Sequence, residues 1–162
     1  MLDVASSKSN ERSPSANVRA EPAPEPSACT SLVVPSGAES CEYVTDLFNQ
    51  LGLTISIDEK LMDAATVLGA CGIAYALRFI RAATQGGIEI GFDAKTANLI
   101  AAQTVKGAAE LLLKGNRHPE EEIDKVTTPK GCTISGLNEM EHRGFSSSLI
   151  KGILNSFHKI EQ

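Results

Sequence analysis

Tryptophan is absent from the 162 residues, and aromatic side chains make up only 4% of them. β-sheets lean on β-branched and aromatic residues, so a core built from aliphatic side chains, alanine and glycine points to packed helices. Long apolar runs are missing too. Nothing approaches the roughly 18 uninterrupted apolar residues that a bilayer-crossing helix needs, and the N-terminus carries no apolar stretch of the secretory kind. These absences predict no membrane partner. Basic excess is also lacking. A formal net charge of -5 and a pI of about 5.2 exclude the positive face that nucleic acid requires.

The four cysteines, Cys29, Cys41, Cys71 and Cys132, show neither C-x-x-C spacing nor a compact framework. They read as free thiols of a reducing compartment, which predicts a cytoplasmic protein. With no activating base beside them, Cys71 and Cys132 read as small buried fillers rather than nucleophiles. His118, His142 and His158 have no metal-ligand spacing, so no metal site is expected. Glycine-rich nucleotide fingerprints are likewise absent, both the strand-following G-x-G-x-x-G and the G-x-x-x-x-G-K-[ST] loop.

Regular patterning begins only after the first forty residues. Residues 1–42 carry Pro14, Pro22, Pro24, Pro26 and Pro35 among serines and scattered charges. Such a composition buries too little apolar surface to offset its ordering entropy, and a disordered tail is predicted. From Tyr43, the residues Val44, Leu47, Phe48 and Leu51 recur at helical spacing up to Gly52, and Thr54, Ile55 and Ile57 read as a short extended piece. A helix is predicted over roughly 72–88. Asp93 is a good N-cap for a second, which Gly115 and Asn116 close. His118-Pro119-Glu120-Glu121-Glu122 opens a third, with proline and acids suited to its first turn. Two further helices are expected, one restarting near Thr133 and one capped by Ser146 to Ser148. The count is five or six helices and almost no strand.

Two short stretches could carry chemistry. In the first, Val126-Thr127-Thr128-Pro129-Lys130-Gly131-Cys132-Thr133, hydroxyls and a Pro-Gly turn lead into a helix N-terminus. There free backbone N–H groups and the helix dipole suit a carboxylate or phosphate; a plain capped turn satisfies the same residues. In the second, Thr66 to Tyr75, the residues Gly69, Cys71 and Gly72 let backbone approach either a ligand or a neighbouring helix. Neither stretch decides between its two readings without further context.

In this order and separation the two stretches resemble pyrroline-5-carboxylate reductase. Residues 126–137 are similar to the family pattern V-T-S-P-G-G-x-T-x-x-G-L, and Asp63-Ala64-Ala65-Thr66 running on to Gly72-Ile73-Ala74-Tyr75 is similar to D-A-V-T-x-x-S-G-S-G-P-A-Y. Gln85-Gly86-Gly87-Ile88 and Ala102-Gln103-Thr104-Val105-Lys106-Gly107-Ala108-Ala109 match D-G-G-V and A-Q-T-V-x-G-A-A. Three departures stand out: Lys130 in place of a glycine, Ala70 in place of a glycine, and Ile73 in place of a proline.

The resemblance implies an all-α helical bundle over residues 59–162 that interlaces with a second copy. Residues 43–58 would be the end of a preceding nucleotide-binding domain. It implies NAD(P)H-dependent reduction of 1-pyrroline-5-carboxylate to L-proline, with the substrate carboxylate at Thr128, Lys130, Gly131, Cys132 and Thr133. Gly69, Cys71 and Gly72 would lie beside the nicotinamide. No catalytic side chain is implied, since positioning and the cofactor's hydride carry the reaction. Without its glycine fingerprint this chain is expected to bind NADPH or NADH weakly and to be inactive alone. The alternative is a non-catalytic helical dimerisation module. Lys130 predicts a distorted turn if its position needs a positive φ.

Overall fold

The computed structural model describes residues 18–20, 29–33, 38–115 and 117–160, with side-chain surroundings from residue 42 onward. The chain divides into two compact units: residues 1–72 with 155–162, and residues 73–154.

In the first unit, strand β1 (Val18–Ala20) and strand β2 (Cys29–Val33) precede helix α1 (Ala38–Asn49), and strand β3 (Gly52–Ser56) follows it. β2 and β3 pair in parallel, from Cys29 opposite Gly52 to Val33 opposite Ser56. A parallel pair needs a crossover, and α1 supplies it. β1 joins the other side of β2 antiparallel. The extended piece expected near Thr54 is therefore β3, where the Thr54 N–H donates to Asn49 Oδ1 at 3.2 Å.

Strand content exceeds the expectation, because part of the segment read as a disordered tail forms ladders. Thr30, Leu32 and Val33 are strand formers, but composition averaged over forty residues hides a five-residue run that becomes a strand only when β3 offers a partner. Residues 38–42 of the expected tail open helix α1 instead, and the remainder, residues 1–17, 21–28 and 34–37, lies outside the described residues.

Beyond β3 the described chain is entirely helical, in keeping with the all-α expectation. Asp58 caps a 3₁₀ turn (Glu59–Leu61), its carboxylate accepting from the Lys60 N–H at 3.2 Å. Helix α2 (Met62–Thr66) then passes through a π turn (Val67–Cys71) into helix α3 (Gly72–Glu89). Val67 is buried here.

Because Gly69 and Gly72 do not interrupt this helical path, Glu59–Glu89 becomes 31 residues with a mean hydropathy of 1.4 over its most apolar window. By length and composition it could cross a membrane, which corrects the expectation that no such segment exists. Its apolar residues are interrupted by a few polar ones, which leave no long uninterrupted run yet keep the average hydropathy high.

The second unit holds most of α3, helix α4 (Ala94–Gly115), helix α5 (Pro119–Val126), helix α6 (Cys132–His142) and the larger part of helix α7 (Phe145–Ile160). The α3–α4 junction is a Schellman turn. The Phe92 N–H donates to Gly87 O and the Gly91 N–H to Ile88 O, both at 3.0 Å, and Gly91 has φ +115. Asp93 then caps α4, accepting from the Lys95 and Thr96 N–H groups at 3.0 Å each.

Small residues let α3 and α4 approach. A Cβ placed on Gly87 would sit 3.0 Å from the Ala97 Cβ, and Thr84, buried, donates to Ile80 O at 2.8 Å and to Asn98 Oδ1 at 3.4 Å. α7 begins one residue before the expected serine cap. The left-handed Gly144 (φ +81) starts the turn, and the Ser146 hydroxyl reaches back to Glu141 Oε1 at 2.7 Å.

Apolar burial is sparse. Among the described residues the buried hydrophobic side chains are Val67, Ala97 and Ala101, while Leu77, Leu99, Leu113 and Ile90 each stand more than half exposed.

Candidate functional site

The α5–α6 junction assembles the first candidate stretch within the second unit. α5 ends as Thr127 Oγ1 donates to Ile123 O at 2.7 Å. Pro129 occupies the second position of a four-residue turn closed by the Gly131 N–H on Thr128 O at 2.9 Å. Lys130, at the third position, has φ +61. Proline followed by a positive φ is the type II pattern, which favours glycine at the third position. The turn therefore demands the left-handed conformation that Lys130 was expected to resist, and lysine adopts it. For a residue with a Cβ this costs roughly 1–2 kcal/mol.

Gly131 is the N-cap of α6, with extended backbone (φ -71, ψ 161) and no side-chain capping bond. The position tolerates nothing larger, since a Cβ there would lie 2.5 Å from Thr128 Oγ1 and 3.0 Å from Thr128 O. No acidic residue lies in the first turn of α6. α5, by contrast, has the His118 ring accepting from the Glu120 N–H at 3.3 Å and acids at Glu120, Glu121 and Glu122.

The first turn of α6 thus keeps its N–H groups clear of a capping side chain, with the positive end of the helix dipole uncompensated nearby. An external carboxylate meets both needs. The structure brings Thr128, Lys130, Gly131, Cys132 and Thr133 together around this turn. All but Gly131, which is half-buried, are exposed.

Cys132 differs from its expectation as a buried filler. It is exposed and unpaired in any disulfide, because it begins α6 just after a turn that projects outward.

Of the second candidate stretch, Thr66 to Gly72 lie in the first unit and Ile73 to Tyr75 in the second. It is not a loop. Thr66 Oγ1 donates to Met62 O at 2.8 Å, and the Gly72 N–H reaches Val67 O, the five-residue closure of a π turn. Gly69 is exposed, while Cys71 and Gly72 are half-buried. Gly72 has an ordinary helical φ of -54 and open space where a Cβ would stand, so neither backbone nor room requires glycine there. A π turn within a helix is uncommon and is found frequently at functional sites. Helix periodicity alone did not reveal it.

A third feature escaped the sequence reading. A concave apolar region of about 600 Å³ lies in the second unit, lined by Tyr75 and Phe79 of α3, Met140 of α6, and Phe145, Ser148 and Leu149 of α7. Phe79 and Phe145 meet edge to face within it, centroids 6.1 Å apart at 66°. The 3–4 spacing of Tyr75 and Phe79 was legible, but their convergence with α7 was not. Among the described residues no group of three or more His, Cys, Asp or Glu side chains gathers as metal ligands would.

Residues 59–162 match the family described as pyrroline-5-carboxylate reductase dimerisation. Pyrroline-5-carboxylate reductase 1 of Dictyostelium discoideum is 62% identical over 118 residues, covering 73% of this chain and 21% of the relative. Pyrroline-5-carboxylate reductase 2 of the same organism is 54% identical over 118 residues, covering 73% and 40%. Among solved structures, Plasmodium falciparum pyrroline carboxylate reductase with NADP bound superposes with a TM-score of 0.72 at 27% identity, over 81% of this chain and 51% of that one. The Streptococcus pyogenes 1-pyrroline-5-carboxylate reductase gives 0.77 at 29% identity, over 89% and 57%. The chain thus spans from about a fifth to about three-fifths of the length of these relatives. With residues 59–162 matched, well over half of its length, the chain belongs to the pyrroline-5-carboxylate reductase dimerisation family.

Proposed function

We propose that this chain carries the substrate-binding and self-associating part of a pyrroline-5-carboxylate reductase, which works together with a nucleotide-binding domain in proline synthesis. The observation that carries the reading is the uncapped start of α6. In a chain of this family, the Gly131, Cys132 and Thr133 N–H groups with the Thr128 hydroxyl make a receptor for the carboxylate of 1-pyrroline-5-carboxylate. Lys130 adds an ammonium at the rim. When bound, NADPH or NADH would supply a hydride to the imine carbon, with a proton from solvent going to the ring nitrogen. The chain's own work is to hold the carboxylate so that this carbon is presented in one orientation, and positioning alone provides a large part of such a rate enhancement. Gly69, Cys71 and Gly72, on the π turn, are the proposed nicotinamide-side residues. The extended backbone and parallel β2–β3 pair before residue 59 fit the end of a nucleotide-binding domain.

Self-association follows from the sparse core. Helices that bury Val67, Ala97 and Ala101 while exposing Leu77, Leu99 and Leu113 gain most of their apolar burial against a second copy. The free thiols of Cys71 and Cys132 fit the cytoplasm, and the acidic net charge gives no support to a nucleic-acid partner.

Titrating the purified chain with L-proline and a non-carboxylate proline analogue, read by backbone amide NMR, tests the site. Shifts at Gly131, Cys132 and Thr133 with the acid alone are expected; no shift there removes the carboxylate role. NADPH oxidation should be near zero for the chain alone, and turnover at the rate of the intact relatives contradicts the proposed division of labour.

The alternative, a dimerisation module without catalytic role, is favoured by the departures at Ala70 and Ile73. Self-association without any proline-induced shift selects it.

A further inference from the structure

Two residues join α5 to the carboxylate turn, and the first of them is tied back to α5 twice. The helix breaks at Thr127, whose backbone is extended (φ -101, ψ 120). Its N–H donates to Asp124 O at 3.3 Å, three residues back, rather than to Ile123 O four back. Ile123 O is among the last four carbonyls of α5, for which the helix itself has no amide left. The Thr127 hydroxyl takes it instead, at 2.7 Å. One residue thus closes two carbonyls of the last turn through two donors.

Thr128 precedes Pro129, and a following proline disfavours helical backbone. Along such an extended pair, successive side chains point to opposite sides. Thr127 is half-buried and turns back to α5, whereas Thr128 is exposed and sets its Oγ1 beside Gly131. The tether at Thr127 therefore decides which way the Thr128 hydroxyl faces. Were Thr127 to let go of Ile123, the next residue could turn, and its hydroxyl would leave the first turn of α6. α5 gives the tether a fixed base by other means. Half-buried Glu122 accepts from Lys125 at 2.6 Å and lies 3.9 Å from the Arg117 guanidinium, and none of these three groups belongs to the turn.

We propose that Thr127 is a positioning residue for the substrate carboxylate, its hydroxyl bond to Ile123 holding Thr128 and the start of α6 in place to receive that group. The inference rests on the carboxylate receptor proposed above and names what sets its geometry. A receptor without its tether is competent only part of the time, and its apparent affinity falls by that fraction.

L-proline titrations of the full chain and of Thr127→Val, Thr127→Ser and Glu122→Gln variants test it, read at the Gly131, Cys132 and Thr133 amides. Valine keeps the branched shape that suits extended backbone but has no hydroxyl; serine keeps the hydroxyl. Thr127→Val is expected to raise the proline dissociation constant about tenfold, the scale of one net hydrogen bond. Thr127→Ser should restore it to within about threefold of the wild type. Glu122→Gln should lower the denaturation midpoint yet leave the affinity within about threefold, because it loosens α5 without touching the tether. Should Thr127→Val lose helix content by circular dichroism, Thr127→Ala gives the same comparison without burying a branched apolar side chain. Equal affinity in the wild type and Thr127→Val, or a serine variant no tighter than valine, overturns the positioning role and leaves the carboxylate site standing. Equal weakening in Thr127→Val and Glu122→Gln assigns the effect to α5 as a whole and overturns it too. No proline-induced shift in the wild type removes the receptor itself, and the role of Thr127 with it.

Discussion

Two helix–turn–helix junctions in the second unit solve the same geometric problem with residues in opposite places. Between α3 and α4 the left-handed position is Gly91 and the N-cap is Asp93, whose carboxylate takes two N–H groups of the new helix. Between α5 and α6 the left-handed position is Lys130 and the N-cap is Gly131, with no side chain to cap anything. The first arrangement is what stability favours at both positions. The second forgoes it twice, leaving a helix N-terminus open and a lysine in strained backbone. Local strain that persists in a folded chain is often found where a ligand is held, and here it coincides with the proposed carboxylate site.

Four experiments break or sharpen this contrast. The largest effect is expected from Gly131→Ala. The new Cβ would press on Thr128 O at 3.0 Å as well as on its hydroxyl, and the backbone cannot swing away as a side chain can. A loss of about 1–3 kcal/mol in chemical denaturation is expected, the usual range for overpacking, together with loss of the proline-induced amide shifts. A fully stable variant that still binds would show that the turn is not held as tightly as its geometry indicates.

Gly91→Ala forces alanine into positive φ and should cost about 1–2 kcal/mol by the same measurement. If Gly91→Ala proves harmless, the strain argument at Lys130 weakens with it.

Lys130→Gly runs the other way. Relief of the left-handed conformation is worth roughly 1–2 kcal/mol, and glycine's extra freedom in the unfolded chain takes back about 0.4–1. A net gain of about 0.5–1 kcal/mol is expected from these opposing terms. Proline affinity measured on the same variant then separates two roles: unchanged binding assigns the site to backbone N–H groups alone, and weaker binding adds the ammonium.

The smallest effect concerns pH. Hydrogen bonding to Thr96, with a lesser contribution from the Lys95 N–H, holds the Asp93 carboxyl below its ordinary value. A depressed carboxyl stabilises the fold above its unfolded pKa of about 3.9 and loses that contribution as pH falls through the lower folded value. Denaturation midpoints between pH 5 and pH 2 should fall more for the wild type than for Asp93→Asn. Parallel curves would mean the cap adds little.

Local sequence patterns made much of the helical region legible. Asp93, Pro119 after His118, and Gly144 each mark a helix boundary within a residue or two of where it lies, because capping and left-handed turns are decided by near neighbours. The turn at Thr128 to Gly131 was legible for the same reason, whereas the positive φ at Lys130 was raised only as a condition, by comparison with the glycine of the family pattern.

What escaped depended on partners distant in sequence. Residues 29–33 are too short and too diluted by proline-rich surroundings to declare a strand, and become one by pairing with residues 52–56. The π turn at 67–71 shifts the helical register by one residue without breaking it, so periodicity passes over it and glycine suggests a loop that is not there. The hollow beside Phe79 and Phe145 exists because α3 and the α6–α7 turn converge. By itself the sequence determined where α4, α5 and α6 start and stop, which family pattern they carry, and which turn holds an open N-terminus, all through interactions within a few residues. Only the tertiary structure decided which apolar faces remain uncovered, because burial is a property of what packs against a helix and not of the helix itself.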